Sequence, residues 1–214
     1  MNNKLMGKVF LWMFIGLLIT FSTGLIVANN DVIIASVYNS AWYLVFGVIE
    51  LLIVIYLSFR VLKIKPATAK FWFLLYSFIS GLTFGSIFVF YKMTSTIFIF
   101  LITAILFLIL SLIGYFTKID LKKIGTYCLF GLIAVIIVTI INIFLQSDTV
   151  MLYSSIICIL LFIGITAYDV QKIKRLEDTN IPQDNLAIYG ALELYLDFIN
   201  IFLHLLTIFG KEND

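Results

Sequence analysis

Four polar side chains follow one another along the last apolar stretch of the chain, residues 186–209. The offsets 0, 4, 7 and 11 belong to Glu193, Asp197, Asn200 and His204. At about 100° per residue, these positions fall within roughly 60° of one another on a helix. A carboxylate near the middle of a membrane span costs on the order of 3 kcal/mol or more unless it faces protein, water or a partner. This polar seam therefore predicts a functional site with other helices packed around it.

The composition predicts an integral membrane protein. Of the 214 residues, 63% are hydrophobic and 12% are charged, whereas soluble domains are about half apolar and about a quarter charged. The net charge of +2 is too small to suggest a nucleic-acid partner. Cys128 and Cys158 lie in apolar stretches without metal-ligand spacing, so we expect buried free thiols.

Seven apolar stretches are long enough to cross a bilayer as helices. The joints between them are short, so we predict an all-α integral membrane protein whose residues 1–214 form a single seven-helix transmembrane domain. The first stretch is longer than the apolar region of a signal peptide, so we expect it to be retained as a helix. The predicted spans are residues 7–28, 41–62, 71–91, 96–117, 124–145, 150–170 and 186–209.

Small residues recur at every fourth position in the first and third predicted spans. Such stripes let membrane helices approach closely, although small residues are also common in membrane spans generally. The stripes consist of Gly16, Thr20 and Gly24 in the first span and of Ser77, Gly81 and Gly85 in the third.

Basic residues cluster at the N-terminus and at every second joint between spans. The positive-inside rule therefore places the N-terminus and the even-numbered joints in the cytoplasm of a multi-pass protein of the cell membrane. The clusters contain Lys4, Lys8, Arg60, Lys63, Lys65, Lys70, Lys118, Lys122, Lys123, Lys172, Lys174 and Arg175.

Besides the last span, three ionisable residues stand out within the predicted spans. Glu50 is near the middle of the second span, Arg60 is near its cytoplasmic end, and Asp169 is near the cytoplasmic end of the sixth. Arg60 can instead extend to the headgroups, and Asp169 can reach interfacial water. The alternative for Glu50 is a neutral, hydrogen-bonded acid that fixes helix packing, and for His204 we expect a structural hydrogen bond.

Asp169 and Asp197 would form a pH sensor if their helices bring them together. Two adjacent acids in a medium of low dielectric do not both ionise readily, so the pair titrates as a unit. When both are ionised, they attract a hard divalent cation that prefers oxygen ligands. However, Asp197 lies 11 residues, about 16 Å, beyond the predicted start of its helix, whereas Asp169 is close to the predicted end of its own. The two meet only if the sixth helix continues past Lys172 or the seventh starts late.

The C-terminal half of the chain resembles the Bax inhibitor-1 family, also called the transmembrane Bax inhibitor motif (TMBIM) family. The similarity begins with Tyr168-Asp169-Val170-Gln171. It continues, after a basic joint, with Leu194-Tyr195-Leu196-Asp197-Phe198-Ile199-Asn200-Ile201-Phe202 and Leu205-Leu206. Thr103-Ala104-Ile105-Leu106-Phe107 matches the end of the family signature, whereas Gly85-Ser86 stands where that signature usually has Gly-Pro. The compact chain is most similar to the bacterial YetJ-type members.

This resemblance implies a seven-helix bundle with the seventh helix at its centre and a pH-sensitive calcium leak channel. By the same resemblance, Asp169 pairs with Asp197, calcium passes them transiently, and Arg60 helps to hold the closed state. We expect Glu50, Glu193, Asn200 and His204 to line the ion pathway. We expect no cofactor, no catalytic residue and no partner beyond the lipid bilayer, calcium and protons, and a monomer would suffice.

Other functions fit parts of the pattern. Intramembrane aspartyl proteases also carry Tyr-Asp in one helix and Asp in the next, but their Gly-x-Gly-Asp motif is replaced here by Leu194-Tyr195-Leu196-Asp197. A retinal protein needs a lysine in the seventh span, which this chain lacks. A proton-coupled transporter or a non-conducting membrane interaction protein remains an alternative to the channel. An enzyme is not expected.

Overall fold

The computed structural model describes residues 4–38 and 42–213, with side chains for residues 4–35 and 45–213, and its regular elements in these ranges are helices. Chain order gives α1 (Lys4–Ala28), α2 (Asp31–Tyr38), α3 (Trp42–Arg60), α4 (Pro66–Phe90), α5 (Met93–Phe116), α6 (Lys122–Leu145), α7 (Asp148–Leu176) and α8 (Gln183–Phe209).

Six helices of the described ranges are long and apolar enough to cross a membrane: α1, α4, α5, α6, α7 and α8. The remaining long helix, α3, coincides with the predicted span 41–62 but is not among those six, and Ala41 lies outside the described residues. The protein is therefore an all-helical, multi-pass membrane protein. The count of seven spans stays a prediction.

The short helix α2 was not expected from the sequence, which has a polar joint there. Asn30 starts it, because its side-chain Oδ1 accepts hydrogen bonds from the backbone N–H groups of Val32 and Ile33, both at 3.1 Å. An asparagine in this position satisfies N–H groups that the first helical turn leaves without partners. The joint therefore contains a short helix whose first turn is capped by the Asn30 side chain.

Helix α7 continues beyond its predicted end at residue 170, and α8 begins at Gln183 rather than at residue 186. The apolar run ends near Val170, but the basic residues that follow are compatible with a continued helix. Positive charges near a helix C-terminus interact favourably with the negative end of the helix dipole. Lys174 donates a hydrogen bond from Nζ to the Tyr115 carbonyl at 2.8 Å. Hydropathy therefore underestimated the length of this helix.

The chain divides into two compact units. Unit 1 comprises Met1–Met93, Leu176–Tyr195 and Glu212–Asp214, and unit 2 comprises Thr94–Arg175 and Leu196–Lys211. The first half of α8 thus belongs to unit 1 and its second half to unit 2.

In unit 1, α1 packs against α4 along the two predicted stripes of small residues. A Cβ atom added to Gly81 would lie 2.5 Å from Thr23 Cβ and 2.9 Å from the Thr20 carbonyl oxygen. One added to Gly16 would lie 2.7 Å from Phe73 Cζ. Only glycine permits these approaches, so the prediction of close packing is confirmed.

In unit 2, α5 and α6 approach α7 at glycines. A side chain on Gly114 would collide with the Ala167 backbone, and one on Gly125 would collide with the Tyr168 ring. Both contacts lie within two residues of Asp169 in the sequence, so the close approach of two neighbouring helices fixes this part of α7. Phe198 of α8 packs edge-on against Phe100 and Phe107 of α5.

Candidate functional site

The four residues of the polar seam lie on one continuous helix, α8. Asp197 is almost completely buried, with 3% of its surface exposed, whereas Glu193, Asn200 and His204 are half-buried. Glu193 belongs to unit 1, and the other three belong to unit 2.

Asp169 and Asp197 are both buried acids of unit 2. Asp169 lies on α7, and 5% of its surface is exposed. Since α7 ends at Leu176, Asp169 is seven residues, about 10 Å, from the helix end, and α7 continues past Lys172. Of the two alternative conditions for a meeting of the acids, the extension of α7 past Lys172 is met, whereas a late start of α8 is not, since α8 begins at Gln183. The contact itself stays a prediction.

Lys172 is a neighbour of Asp169 that the sequence analysis treated only as an orienting charge. Its Nζ lies 3.5 Å from Asp169 Oδ1, one helical turn further along α7. The lysine side chain is 32% exposed and its ammonium group also lies over the Tyr168 ring, 5.9 Å from the centroid. The i, i+3 spacing of the two residues was the available signal. Lys172 gives the buried carboxylate a compensating charge that reaches the protein surface.

Gln171, in the same motif, fixes the joint between α5 and α6. Its Nε2 donates to the Ile119 carbonyl at 2.8 Å, and its Oε1 accepts from the Leu121 N–H at 3.0 Å. Arg175 Nη2 donates to the same oxygen at 2.9 Å, and Arg175 Nη1 lies 2.9 Å from Asp120 Oδ1. The Tyr-Asp-Val-Gln segment therefore carries a structural residue beside its acid.

Arg60 is exposed at the end of α3, in unit 1. The turn that follows it is held by Asn185, whose Nδ2 donates to the carbonyls of Val61 at 2.5 Å and of Ile64 at 2.8 Å. Asn185 is 1% exposed and was not singled out from the sequence. The closed-state role of Arg60 stays a prediction.

Glu50 is half-buried in unit 1, where hydroxyl groups of α4 surround its carboxyl group. The Ser80 hydroxyl donates to Oε1, and the Thr83 hydroxyl lies 3.1 Å from Oε2. These contacts match the alternative of a hydrogen-bonded acid that joins two helices. They leave the predicted place of Glu50 in an ion pathway untested.

A second polar contact of unit 1 joins Tyr195 of α8 to Thr20 of α1. Their hydroxyl oxygens are 2.7 Å apart, and Thr20 also donates to the Ser77 carbonyl at 2.9 Å. Because Thr20 has a single hydroxyl proton, Tyr195 is the donor in their mutual bond. Tyr195 is 1% exposed and packs edge-on against Tyr76. In the sequence, Tyr195 is part of the motif that precedes Asp197, but the motif did not indicate this contact.

His204 forms the hydrogen bond expected for it: Nδ1 lies 3.2 Å from Ser155 Oγ of α7. Both residues line a small cavity of about 140 Å³ in unit 2. Asn200, in contrast, donates from Nδ2 to the Leu196 carbonyl of its own helix at 2.7 Å. Polar side chains dominate the rest of the cavity wall, which consists of Thr139, Asn142, Met151, Ser154 and Thr207.

Within the described ranges, no three His, Cys, Asp or Glu side chains are grouped so that they could hold a metal ion. A calcium ion at Asp169 and Asp197 would therefore need further oxygen ligands from hydroxyls, carbonyls or water. Both cysteines are free thiols: Cys158 is buried and Cys128 is partly buried.

Known proteins similar to this chain identify its family. The family model described as inhibitor of apoptosis-promoting Bax1 matches residues 2–214. An uncharacterized protein of Borreliella burgdorferi is 39% identical over 218 residues, which cover 100% of this chain and 94% of the relative. The inner membrane protein YbhL of Escherichia coli strain K12 is 38% identical over 213 residues, covering 97% of this chain and 91% of YbhL. A protein of Deinococcus radiodurans is 33% identical over 212 residues, covering 98% and 90% of the two chains. The chain therefore belongs to the Bax inhibitor family of membrane proteins.

Proposed function

We propose that this protein is a calcium leak channel of the cell membrane whose open and closed populations depend on the protonation of Asp169 and Asp197. One observation carries the proposal: both carboxyl groups are almost completely buried in unit 2, on two candidate membrane spans. A charge in such surroundings is costly unless it is compensated. A change in protonation therefore changes the relative free energies of two helix arrangements.

In this proposal, Lys172 links the protonation of Asp169 to the arrangement of the helices. Ionised Asp169 attracts its ammonium group, and protonation of the acid removes that attraction. The released lysine can then turn towards water, because its side chain is already 32% exposed. In the same proposal, Arg60 stabilises the closed state, and Glu50, Glu193, Asn200 and His204 line the pathway. The protein needs no resident cofactor and no catalytic group, and its N-terminus faces the cytoplasm.

The ion itself fits the chemistry of the acids. Ca²⁺ binds six to eight oxygen atoms in flexible arrangements, so two carboxylates with water can hold it briefly without a dedicated cage. A weak site suits a conducted ion, because binding must allow the ion to leave.

The proposal is tested by calcium flux into dye-loaded liposomes that contain the purified protein, between pH 5 and pH 8. We expect the wild type to show pH-dependent flux and Asp169→Asn/Asp197→Asn to show flux with little pH dependence. Asp178→Asn is the matched control, since it removes an exposed acid in the joint between α7 and α8. This control should follow the wild type.

Two results would overturn the channel. Absence of flux at every pH from correctly folded protein would favour a non-conducting interaction protein. Calcium movement that requires a proton gradient and drives protons in return would favour a proton-coupled transporter. An unchanged pH profile in the double variant would show that the two aspartates are not the pH sensor.

A further inference from the structure

An apolar groove of about 470 Å³ lies on the surface of unit 2, between the start of α5 and the end of α8. A cavity of this volume is in the range that holds small ligands. Its apolar wall consists of Phe98, Ile99, Ile102, Leu205 and Phe209. Ile99 and Leu205 form the buried floor, whereas Phe98 and Phe209 are 64% and 65% exposed at its sides. Both helices are candidate membrane spans by length and composition, and an exposed apolar side chain on such a helix is suited to contact with lipid.

One end of the groove is polar. Lys211, Thr94 and Ser95 line it there, and they bring one positive charge and two hydroxyl groups. Lys211 is held in place through its backbone: its N–H donates to Ser95 Oγ at 3.1 Å. The preceding Gly210 N–H donates to the Leu206 carbonyl at 2.7 Å, which closes the end of α8. The lysine side chain is exposed at this end of the groove.

We propose that this groove binds a phospholipid with an anionic headgroup. An acyl chain would lie along Phe98, Ile102 and Phe209, and the phosphate would meet Lys211 with the hydroxyls of Ser95 and Thr94. An apolar trough that ends in a cation and hydroxyl donors matches the two chemically different parts of such a lipid. A zwitterionic lipid has the same acyl chains but carries a quaternary ammonium group that lowers its attraction to Lys211. This site is separate from Asp169 and Asp197 and does not depend on ion conduction.

The test is native mass spectrometry of the full chain, released from vesicles with equal amounts of phosphatidylglycerol and phosphatidylcholine. We expect the wild type to retain phosphatidylglycerol in preference to phosphatidylcholine. Lys211→Ala should lower this preference about fivefold, since one lysine near a membrane surface contributes about that factor in lipid affinity. Lys211→Arg should restore it. Lys118→Ala is the matched control, because Lys118 is an exposed lysine just beyond the other end of α5.

A second variant tests the groove rather than the charge. Ile102→Trp adds volume to the wall at a partly exposed position and keeps Lys211. It should reduce retention of both lipids while the helical circular dichroism spectrum stays unchanged.

Three outcomes would overturn the proposal. The wild type could retain both lipids equally, or Lys118→Ala could reduce the preference as much as Lys211→Ala does. Alternatively, the wild type could be a dimer that Ile102→Trp converts to a monomer without changing lipid retention, which would assign the groove to a second copy of the chain.

Discussion

Unit 1 and unit 2 each contain acids in the apolar part of the protein, but they accommodate them by different means. Glu50 of unit 1 receives hydrogen bonds from Ser80 and Thr83, two neutral groups with no titration of their own in the working range of pH. Asp169 of unit 2 has a lysine ammonium group 3.5 Å away, on a side chain that reaches the surface. A hydroxyl stabilises an acid without a large rearrangement, whereas a mobile cation can leave when the acid is protonated.

The difference separates a structural acid from a candidate switch. The hydroxyls that hold Glu50 belong to α4, so the carboxyl group joins α3 to the helix that also packs on α1. Asp169 lies in a segment of α7 that packs closely on both sides: Gly114 lies against the Ala167 backbone and Gly125 against the Tyr168 side chain. A closely packed helix beside a charged side chain that reaches the surface favours a local response to protonation. This comparison makes Asp169, and not Glu50, the acid whose loss should change pH dependence.

The largest expected effect concerns this contrast directly. In the liposome assay, Asp169→Asn should bring the ratio of calcium flux at pH 5 and pH 8 close to one, because the amide neither attracts the Lys172 ammonium group nor shares a proton with Asp197. Glu50→Gln should change the flux by a similar factor at both pH values and keep the ratio near that of the wild type. The amide retains an oxygen that accepts a hydrogen bond from Ser80.

If Glu50→Gln flattens the pH profile as strongly as Asp169→Asn, the two acids act together and the comparison fails. Lys172→Met sharpens the result, since it removes the mobile cation but keeps both acids. It should weaken the pH dependence without abolishing flux.

The acids in the apolar stretches and the close helix contacts could be predicted from the sequence, because both depend on the chemistry of single residues. An acid in an apolar stretch costs free energy, so Asp197, Asp169 and Glu50 could be identified from the sequence alone. The stripes through Gly16 and Gly81 were also correct, because close helix contacts in membranes demand small side chains.

The missed features depend on partners that lie far apart in the chain. Asn185 holds a turn more than 120 residues away, at Val61 and Ile64, and the bond between Tyr195 and Thr20 spans 175 positions. Asparagine and tyrosine are unremarkable in a helix sequence, so composition gave no sign of these contacts. The end of α7 was missed for another reason: hydropathy reports where a span leaves the membrane and not where its helix stops.

A smaller effect is expected from the hydroxyls that hold Glu50. Ser80→Ala should lower the free energy of unfolding by about 1–3 kcal/mol, because it leaves a half-buried carboxyl group without one of its donors. Thr83→Val should cost about 0.5–1.5 kcal/mol, since the Thr83 hydroxyl is shared with the Ser80 carbonyl at 2.9 Å. Reversible unfolding in mixed micelles, followed by circular dichroism, measures both.

Ser86→Ala is the matched control for this pair, because the Ser86 hydroxyl donates to the Thr83 carbonyl of its own helix. It should stay within about 0.5 kcal/mol of the wild type. Equal losses for Ser80→Ala and Ser86→Ala would show that the hydroxyls do not stabilise Glu50 specifically.

The smallest expected effect belongs to Asp120, an exposed acid of unit 2 in the joint between α5 and α6. The Lys122 N–H, and then Arg175, hold the pKa of Asp120 below its ordinary value of 3.8. An acid whose pKa is lower in the folded state stabilises the fold above its ordinary value, and this contribution is lost as pH falls through the folded value. Asp120→Asn should therefore lower the thermal midpoint slightly at pH 7, and this difference should shrink as pH falls below 3.8.

The pH window of Asp120 makes it a control for the proposed sensor. Its pKa lies below the ordinary value of 3.8, so Asp120 stays ionised between pH 5 and pH 8, and Asp120→Asn should leave the flux profile in that range unchanged. A flux profile altered in that range would mean that the joint held by Gln171 and Arg175 transmits the response. The pH dependence would then lie in how this joint anchors α7, rather than in the charge balance between Asp169 and Lys172.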